Sequence, residues 1–396
     1  MARKKIYFLS LASTIAALLA TLLIASNLSS IQAVDRYALV QTAAMLSAFW
    51  VTTRIDYETH TIKSNGEKIK FSKIPFSYYL FALLGVVSLY FIMGHDEGVT
   101  PTYLLFVVLY PLMFYKNEYL VIASMSEGGL NSVYISRIIK QILPATLAIL
   151  TGSVDWTLVG TLLGLLASSI YLQVRLKHKI NWVYINLCRD KKVPLELKPY
   201  RIGIAIAGGL AAMWYFERFS LSSIEPGLVS IAYFSLQITN TVAVLLAGTL
   251  ATLQFNNSEN SLGVLKRYWL TIVSCNFVLM GLAYLLIKSV CALLEFALIK
   301  NELLLHVGNN INFFAIYLMA SIPTTTALFI GRMYVASGSF DSMMRFYMAS
   351  LPVHFGFIGA GLITQNVELL AMHFFMGNLV YITLALLHKN PQKAPT

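Results

Sequence analysis

Charge is scarce in this chain: Asp, Glu, Lys and Arg make up 12% of its 396 residues, and only 18 of them are acidic. Soluble domains carry about 25% charged residues, so a water-soluble enzyme of two or three domains is excluded. Cysteine is rare too. Cys188, Cys275 and Cys291 lie far apart, in a pattern that is neither a disulfide framework nor a metal signature, and they read as packing residues. The chain lacks a P-loop or dinucleotide fingerprint, a low-complexity tail, and any polar stretch long enough for a large extramembrane domain. No metal, cofactor or nucleic-acid partner is expected.

What is abundant is hydrocarbon. Hydrophobic residues reach 57%, and the mean hydropathy is +0.69. A helix needs about 20 apolar residues to cross a bilayer, so about twelve spans would use roughly 240 residues. Apolar runs bounded by polar clusters place them at 6–25, 37–53, 75–93, 102–122, 136–150, 156–174, 202–216, 227–253, 268–287, 311–330, 343–363 and 367–387. The fold class is therefore an all-α polytopic membrane protein. The first run follows Arg3, Lys4 and Lys5, but it is long for a signal peptide and no small-residue cleavage site follows it. It is read as a retained helix.

The excess of 29 Lys and Arg gives a net charge of +11, which in a soluble protein would suggest a polyanion. Here it reports topology, because Lys and Arg stay on the cytoplasmic side. With the amino terminus inside, only Arg36, Arg218, Lys288 and Lys300 fall outside. An even number of spans with both termini cytoplasmic satisfies that alternation.

The chain also repeats itself. Leu28-Ser29-Ser30-Ile31 after the first span matches Leu221-Ser222-Ser223-Ile224 after the seventh, and the same offset carries Lys5 and Tyr7 onto Lys198 and Tyr200. Two six-helix lobes follow, at 1–178 and 201–396, joined by a basic cytoplasmic linker at 179–200. Six is even, so the lobes should share one orientation, related by a pseudo-two-fold axis along the membrane normal. Transporters of that design hold their substrate path between the repeats.

Residues 216–234 read Phe-Glu-Arg-Phe-Ser-Leu-Ser-Ser-Ile-Glu-Pro-Gly-Leu-Val-Ser-Ile-Ala-Tyr-Phe and continue as an apolar run. This acid-Arg pair, Pro-Gly loop and small-residue helix resembles the junction of helices seven and eight in polysaccharide exporters and lipid II flippases. The first half has the same outline: a basic start, one helix, a short loop ending in Asp35-Arg36-Tyr37, and a second helix that Arg54-Ile55-Asp56 closes. Two further carboxy-terminal helices and an Arg-rich first helix, general in lipid II flippases, are absent. The resemblance thus points to the twelve-span O-antigen or capsule repeat-unit flippases of the multidrug/oligosaccharidyl-lipid/polysaccharide exporter superfamily.

That resemblance implies a non-enzymatic flippase in a bacterial inner membrane. It would move polyprenyl-diphosphate-linked oligosaccharides to the outer leaflet by alternating access, among membrane lipids and alongside a glycan polymerase and ligation machinery. An unpartnered diphosphate in hydrocarbon is costly, and Arg recognises phosphate bidentately without losing its charge. The candidate substrate-binding residues are Arg218 and Glu217 at the outer end of the seventh helix, Arg54 and Asp56 at the inner end of the second, and Arg36 at its outer start. His354 and His373 join them as ionisable groups deep inside spans. Arg332 and Arg345, on either side of Asp341, read rather as anchors of an inner turn.

Other features have blander readings beside the functional ones. Pro111, Pro144, Pro323 and Pro352 each remove a backbone donor within a span. Gly160 and Gly164 suggest close helix packing, and Tyr37 or Trp214 is placed to stack on a sugar. Two rival functions fit less well. A membrane enzyme of the same pathway would show an acidic or Arg/His site on a large outer loop, whereas the longest outer stretch, 288–310, reads as an interfacial extension of the ninth helix. A cation-coupled small-molecule exporter of the superfamily commonly uses an acid in its first helix, and 6–25 contains none.

Overall fold

The computed structural model describes residues 2–65, 77–93, 98–126, 129–176, 197–243, 261–296, 302–336 and 340–388. These residues form fourteen helices and, among themselves, no strand. In chain order they are α1 (Ala2–Asn27), α2 (Ile31–Asn65), α3 (Ser77–Met93), α4 (Pro101–Ser126), α5 (Leu130–Thr151), α6 (Val154–Arg175) and α7 (Leu197–Ile224). Then come α8 (Leu228–Ala243), α9 (Ser261–Phe296), α10 (Glu302–Asn309), α11 (Ile311–Met319), α12 (Ser321–Ala336), α13 (Phe340–Thr364) and α14 (Val367–Leu387). Eight segments of the described residues are long and apolar enough to cross a membrane. Each of the twelve apolar runs, within the described residues, lies largely on helix, α11 and α12 sharing the tenth, and the chain is a multi-pass membrane protein. Cys188 lies outside the described residues, as does the Cys291 side chain, while Cys275 is a free, exposed thiol.

The chain divides into two compact units: residues 1–29 with 36–218, and residues 30–35 with 219–396. In the first, α5 packs on α1 and α6, and α4 on α3 and α6. In the second, α14 packs on α11, α12 and α13, and α8 on α11 and α12. Large side chains such as Phe8, Leu80, Leu150, Val174, Ile363 and Leu387 are exposed, whereas Ala38, Ala43, Ala44 and Ser47 of α2 are buried. Lipid offers no hydrophobic force between helices, so their association depends on small residues that allow close approach.

The intrahelical prolines show how freed backbone groups are recovered. Pro111 cannot bond the carbonyl of Val107, which instead accepts the Ser47 hydroxyl of α2 at 3.2 Å. Pro144 frees the Lys140 carbonyl, and Gly164 of α6 packs its backbone against that oxygen. A Cβ at Gly164 would collide with Lys140 O, and one at Gly160 would lie 2.8 Å from Pro144 Cα. The two glycines are therefore close-packing positions, as their spacing suggests. Gly164→Val is expected to cost about 1–3 kcal/mol through overpacking, read as a lowered melting temperature of the purified protein, whereas Leu163→Val, on the exposed face of α6, should leave it unchanged.

Pro323 has a stronger effect. Its missing N–H deprives the Met319 carbonyl of its helical donor, and the tenth span breaks at Ala320 into α11 and α12. Polar side chains of neighbouring helices meet the break. Thr239 of α8 donates to Tyr317 O at 3.1 Å, and Asn276 of α9 donates to Ser321 O at 3.0 Å and Thr325 Oγ1 at 2.8 Å.

Three expected helix boundaries change. α2 begins at Ile31 and runs to Asn65, well beyond 37–53, because its polar ends still satisfy their own backbone as helix. α7 runs to Ile224 rather than ending at residue 216. The outer stretch 288–310 is an extension of α9 only as far as Phe296, followed by the separate helix α10.

Candidate functional site

The extension of α7 relocates its ion pair. Glu217 and Arg218 lie inside the helix rather than at its outer end, and they are 0% and 4% exposed. Arg218 Nε is 3.8 Å from Glu217 Oε2. Phe216 and Phe219 are exposed, whereas Met213, Ser220 and Leu221 are buried with the pair. An Arg snorkelling to the headgroups would be exposed, whereas both members of this pair are buried in the protein. A charge removed from water is tolerable only when paired and hydrogen-bonded. One turn before the pair, the buried Nε1–H of Trp214 has no hydrogen-bond partner among the described residues.

A second polar cluster lies within the second unit, where the start of α2 meets the start of α8. The Asp35 carboxylate accepts the backbone N–H of Gly227 at 2.5 Å, the N–H of Ser230 at 2.7 Å and the Ser230 hydroxyl at 2.5 Å. The first N–H groups of a helix have no partner within it, and a carboxylate there also meets the positive end of the helix dipole. Asp35 thus caps α8 from another helix. Gly227 makes the approach possible: its φ is +93°, and a Cβ would strike the His306 ring and Ile31 Cδ1. His306, on α10, has a buried Nε2 with no hydrogen-bond partner among the described residues.

The third cluster is the histidine pair. His354 of α13 and His373 of α14 are 3% and 0% exposed, and their Nδ1 atoms are 3.1 Å apart. Phe374 packs against both rings, its centroid 4.1 Å from that of His373 and 6.2 Å from that of His354.

The expected site residues are distributed over both units. Glu217 and Arg218 pair within one unit, and His354 and His373 pair within the other. Arg36 is half-buried beside Asp35 in sequence, on α2. Arg54 and Asp56 are helical in α2, but their side chains, like that of Arg332, lie outside the described residues. Arg345 and Asp341 are exposed near the start of α13, which fits an anchoring role. Tyr37 is buried with its hydroxyl accepting from Gln41 at 3.2 Å.

Three groups escaped sequence reading. Asp35 stood only as one letter of a loop, and its partners Gly227 and Ser230 lie nearly half the chain away. Glu118 and Lys140, each inside a span, interact electrostatically in the first unit, and Lys140 Nζ sits 5.8 Å above the Phe114 ring. The rarity of ionisable residues in spans was signal enough to find them.

No protein-family model and no curated protein matches the chain. Solved structures do. An inward-facing multidrug resistance MATE family transporter of the MOP superfamily matches with a TM-score of 0.59 at 13% identity, over 96% of both chains. A MATE in complex with MaL6 matches at 0.62 and 13%, over 97% of this chain and 94% of the other. A mutant MATE transporter of Vibrio cholerae matches at 0.51 and 10%, over 97% and 93%. At such identities the likeness shows the fold: this chain folds as MATE transporters do.

Proposed function

We propose that the chain is a flippase, without covalent chemistry, that carries polyprenyl-diphosphate-linked oligosaccharides to the outer leaflet of a bacterial cytoplasmic membrane by alternating access. The fold supports transport, and the observation that carries the cargo is the Glu217–Arg218 pair, buried within α7. A permanently charged guanidinium held in place by a neighbouring carboxylate is the chemistry that would receive a diphosphate. Trp214, one turn away, keeps an indole N–H to offer the same anion. The sugar units would then pass to a polymerase and ligation machinery.

A cation-coupled small-molecule exporter is the second reading, favoured by the multidrug transporter among the fold's neighbours. Against it, α1 carries no acid, and a coupling cation needs one. A leaflet-accessibility assay separates the two. Cells lacking the gene should accumulate lipid-linked units that stay closed to an external glycan-modifying reagent and should extrude ethidium normally. Normal outward movement of lipid-linked units together with slowed ethidium extrusion would replace the first reading by the second.

A further inference from the structure

Two cations of the first unit stand one turn apart on α5 and have no part in either reading. Arg137 and Lys140 are neighbours on the helix surface, and the two repel each other. Arg137 is exposed and Lys140 half-buried, and neither makes an ion pair or a side-chain hydrogen bond among the described residues. Glu118 of α4 attracts Lys140, yet forms no ion pair with it.

Aromatic faces hold the cations instead. Arg137 Cζ lies 5.6 Å from the centroid of Tyr134, and Lys140 Nζ lies 5.8 Å from that of Phe114, both within the reach of a cation–π contact, about 6 Å. Such a contact steadies a cation without occupying its N–H groups, so the guanidinium and ammonium donors are left for a ligand. The supports are themselves fixed. Phe114 stacks on Tyr110 with centroids 5.7 Å apart and planes 12° apart, and Gly164 of α6 packs against the Lys140 backbone. Two repelling cations held in place with unused donors are preorganised for an anion of more than one charge.

Their depth narrows the source of that anion. At about 1.5 Å of rise per residue, Arg137 lies about 10 Å and Lys140 about 15 Å along α5 from Leu130, where the span begins. In the orientation that the Lys and Arg distribution implies, that end is cytoplasmic. A lipid brings its phosphate to this level and keeps its tail in hydrocarbon, whereas inorganic phosphate would have to leave water to reach it.

We propose that Arg137 and Lys140 form an entry site for the diphosphate of the lipid-linked cargo, receiving it from the cytoplasmic leaflet before Arg218 does. The inference rests on the cargo named above and adds a first station to its path. Lys supplies a point charge and Arg a planar fork, so together they suit a diphosphate better than the single phosphate of a phospholipid. Glu118 opposes the anion and keeps the hold weak enough for release.

The test is equilibrium binding to the full chain in phosphatidylcholine nanodiscs, read by native mass spectrometry. A sugar-free polyprenyl diphosphate is the probe, with phosphatidylglycerol in a parallel arm. The chain carries Glu217→Gln and Arg218→Ala, so that the pair on α7 adds nothing to the signal. In that chain Arg137→Gln and Lys140→Gln should each weaken diphosphate binding about tenfold or more, the loss of a charge-assisted hydrogen bond. Lys140→Arg should retain it, and Glu118→Gln, which removes a like charge from the anion's side, should tighten it about threefold. Diphosphate binding that Arg137→Gln and Lys140→Gln leave unchanged overturns the proposal, as does phosphatidylglycerol bound equally tightly or no binding to the starting chain. The cargo reading is judged apart, by the leaflet assay: normal outward movement of lipid-linked units without the gene refutes that reading whatever α5 binds.

Discussion

Arg218→Ala is expected to abolish export of lipid-linked units and to destabilise the protein, and the double variant Glu217→Gln/Arg218→Ala separates the two effects. Removing one partner of a buried ion pair leaves the other charge without compensation, at a cost of about 3–5 kcal/mol. Glu217 is fully buried and its Oε2 lies 3.8 Å from Arg218 Nε, so the single variant should melt well below the wild type. Neutralising the acid as well removes the stranded charge, and a neutral pair of similar volume is often no less stable than the ion pair it replaces. The double variant should therefore recover most of the lost stability and still export nothing, because the proposed diphosphate site would lack its guanidinium. Arg218→Lys keeps the charge without the planar fork and should export slowly. The measurements are melting temperature in detergent and outer-leaflet accessibility of lipid-linked units in cells with matched protein levels. A double variant that exports at the wild-type rate would remove Arg218 from the mechanism and leave the pair a structural one.

Where the helices lie was legible, because about 20 apolar residues in water have no soluble alternative as cheap as crossing a bilayer. Where they end was not. Polar residues such as Glu217 and Arg218 look like a boundary on a hydropathy scale, yet a helix continues through them when the protein interior satisfies their charge. The prolines make the same point from the backbone. Pro111 and Pro323 are alike in sequence, both well inside apolar runs. Ser47 takes up the carbonyl that Pro111 frees, and α4 stays whole, whereas the span breaks at Ala320 before Pro323 and two other helices bond the broken ends. What decides the outcome is a partner on another helix, and no local pattern encodes it. The histidines were legible as ionisable groups at depth, but their pairing depends on Gly377, whose role only the packing of α13 against α14 reveals. Asp35 was the largest omission. Its sequence neighbourhood, Asp35-Arg36-Tyr37, belongs to a loop pattern, while its hydrogen bonds reach Gly227 and Ser230, 192 and 195 residues away.

Asp35→Ala is expected to unfasten the start of α8 from the start of α2. The carboxylate accepts from two backbone N–H groups and one hydroxyl, and each buried donor left unsatisfied costs about 1–3 kcal/mol. Water relieves part of that at a helix end, so the net cost should be about 2–5 kcal/mol, borne locally rather than by the whole chain. Asp35→Asn is informative because it keeps the volume. Its amide retains one acceptor but turns an NH2 group toward donors that already point at it, and it loses the charge that favours a helix N-terminus. It should fall between wild type and alanine. Gly227→Ala attacks the same joint from the other side: the added Cβ meets both a left-handed φ of +93° and the His306 ring. Hydrogen exchange in lipid nanodiscs is the direct reading, with faster exchange expected at the amides of residues 227–230 and little change in α13 and α14. The two chain segments joined here follow the two copies of the Leu-Ser-Ser-Ile repeat, so the first turn of α2 is held by the second unit while the remainder of that helix belongs to the first. If the four amides exchange equally in wild type and Asp35→Ala, the carboxylate is not what holds that turn, and the fastening must be sought in the apolar contact of Ile31 with Gly227.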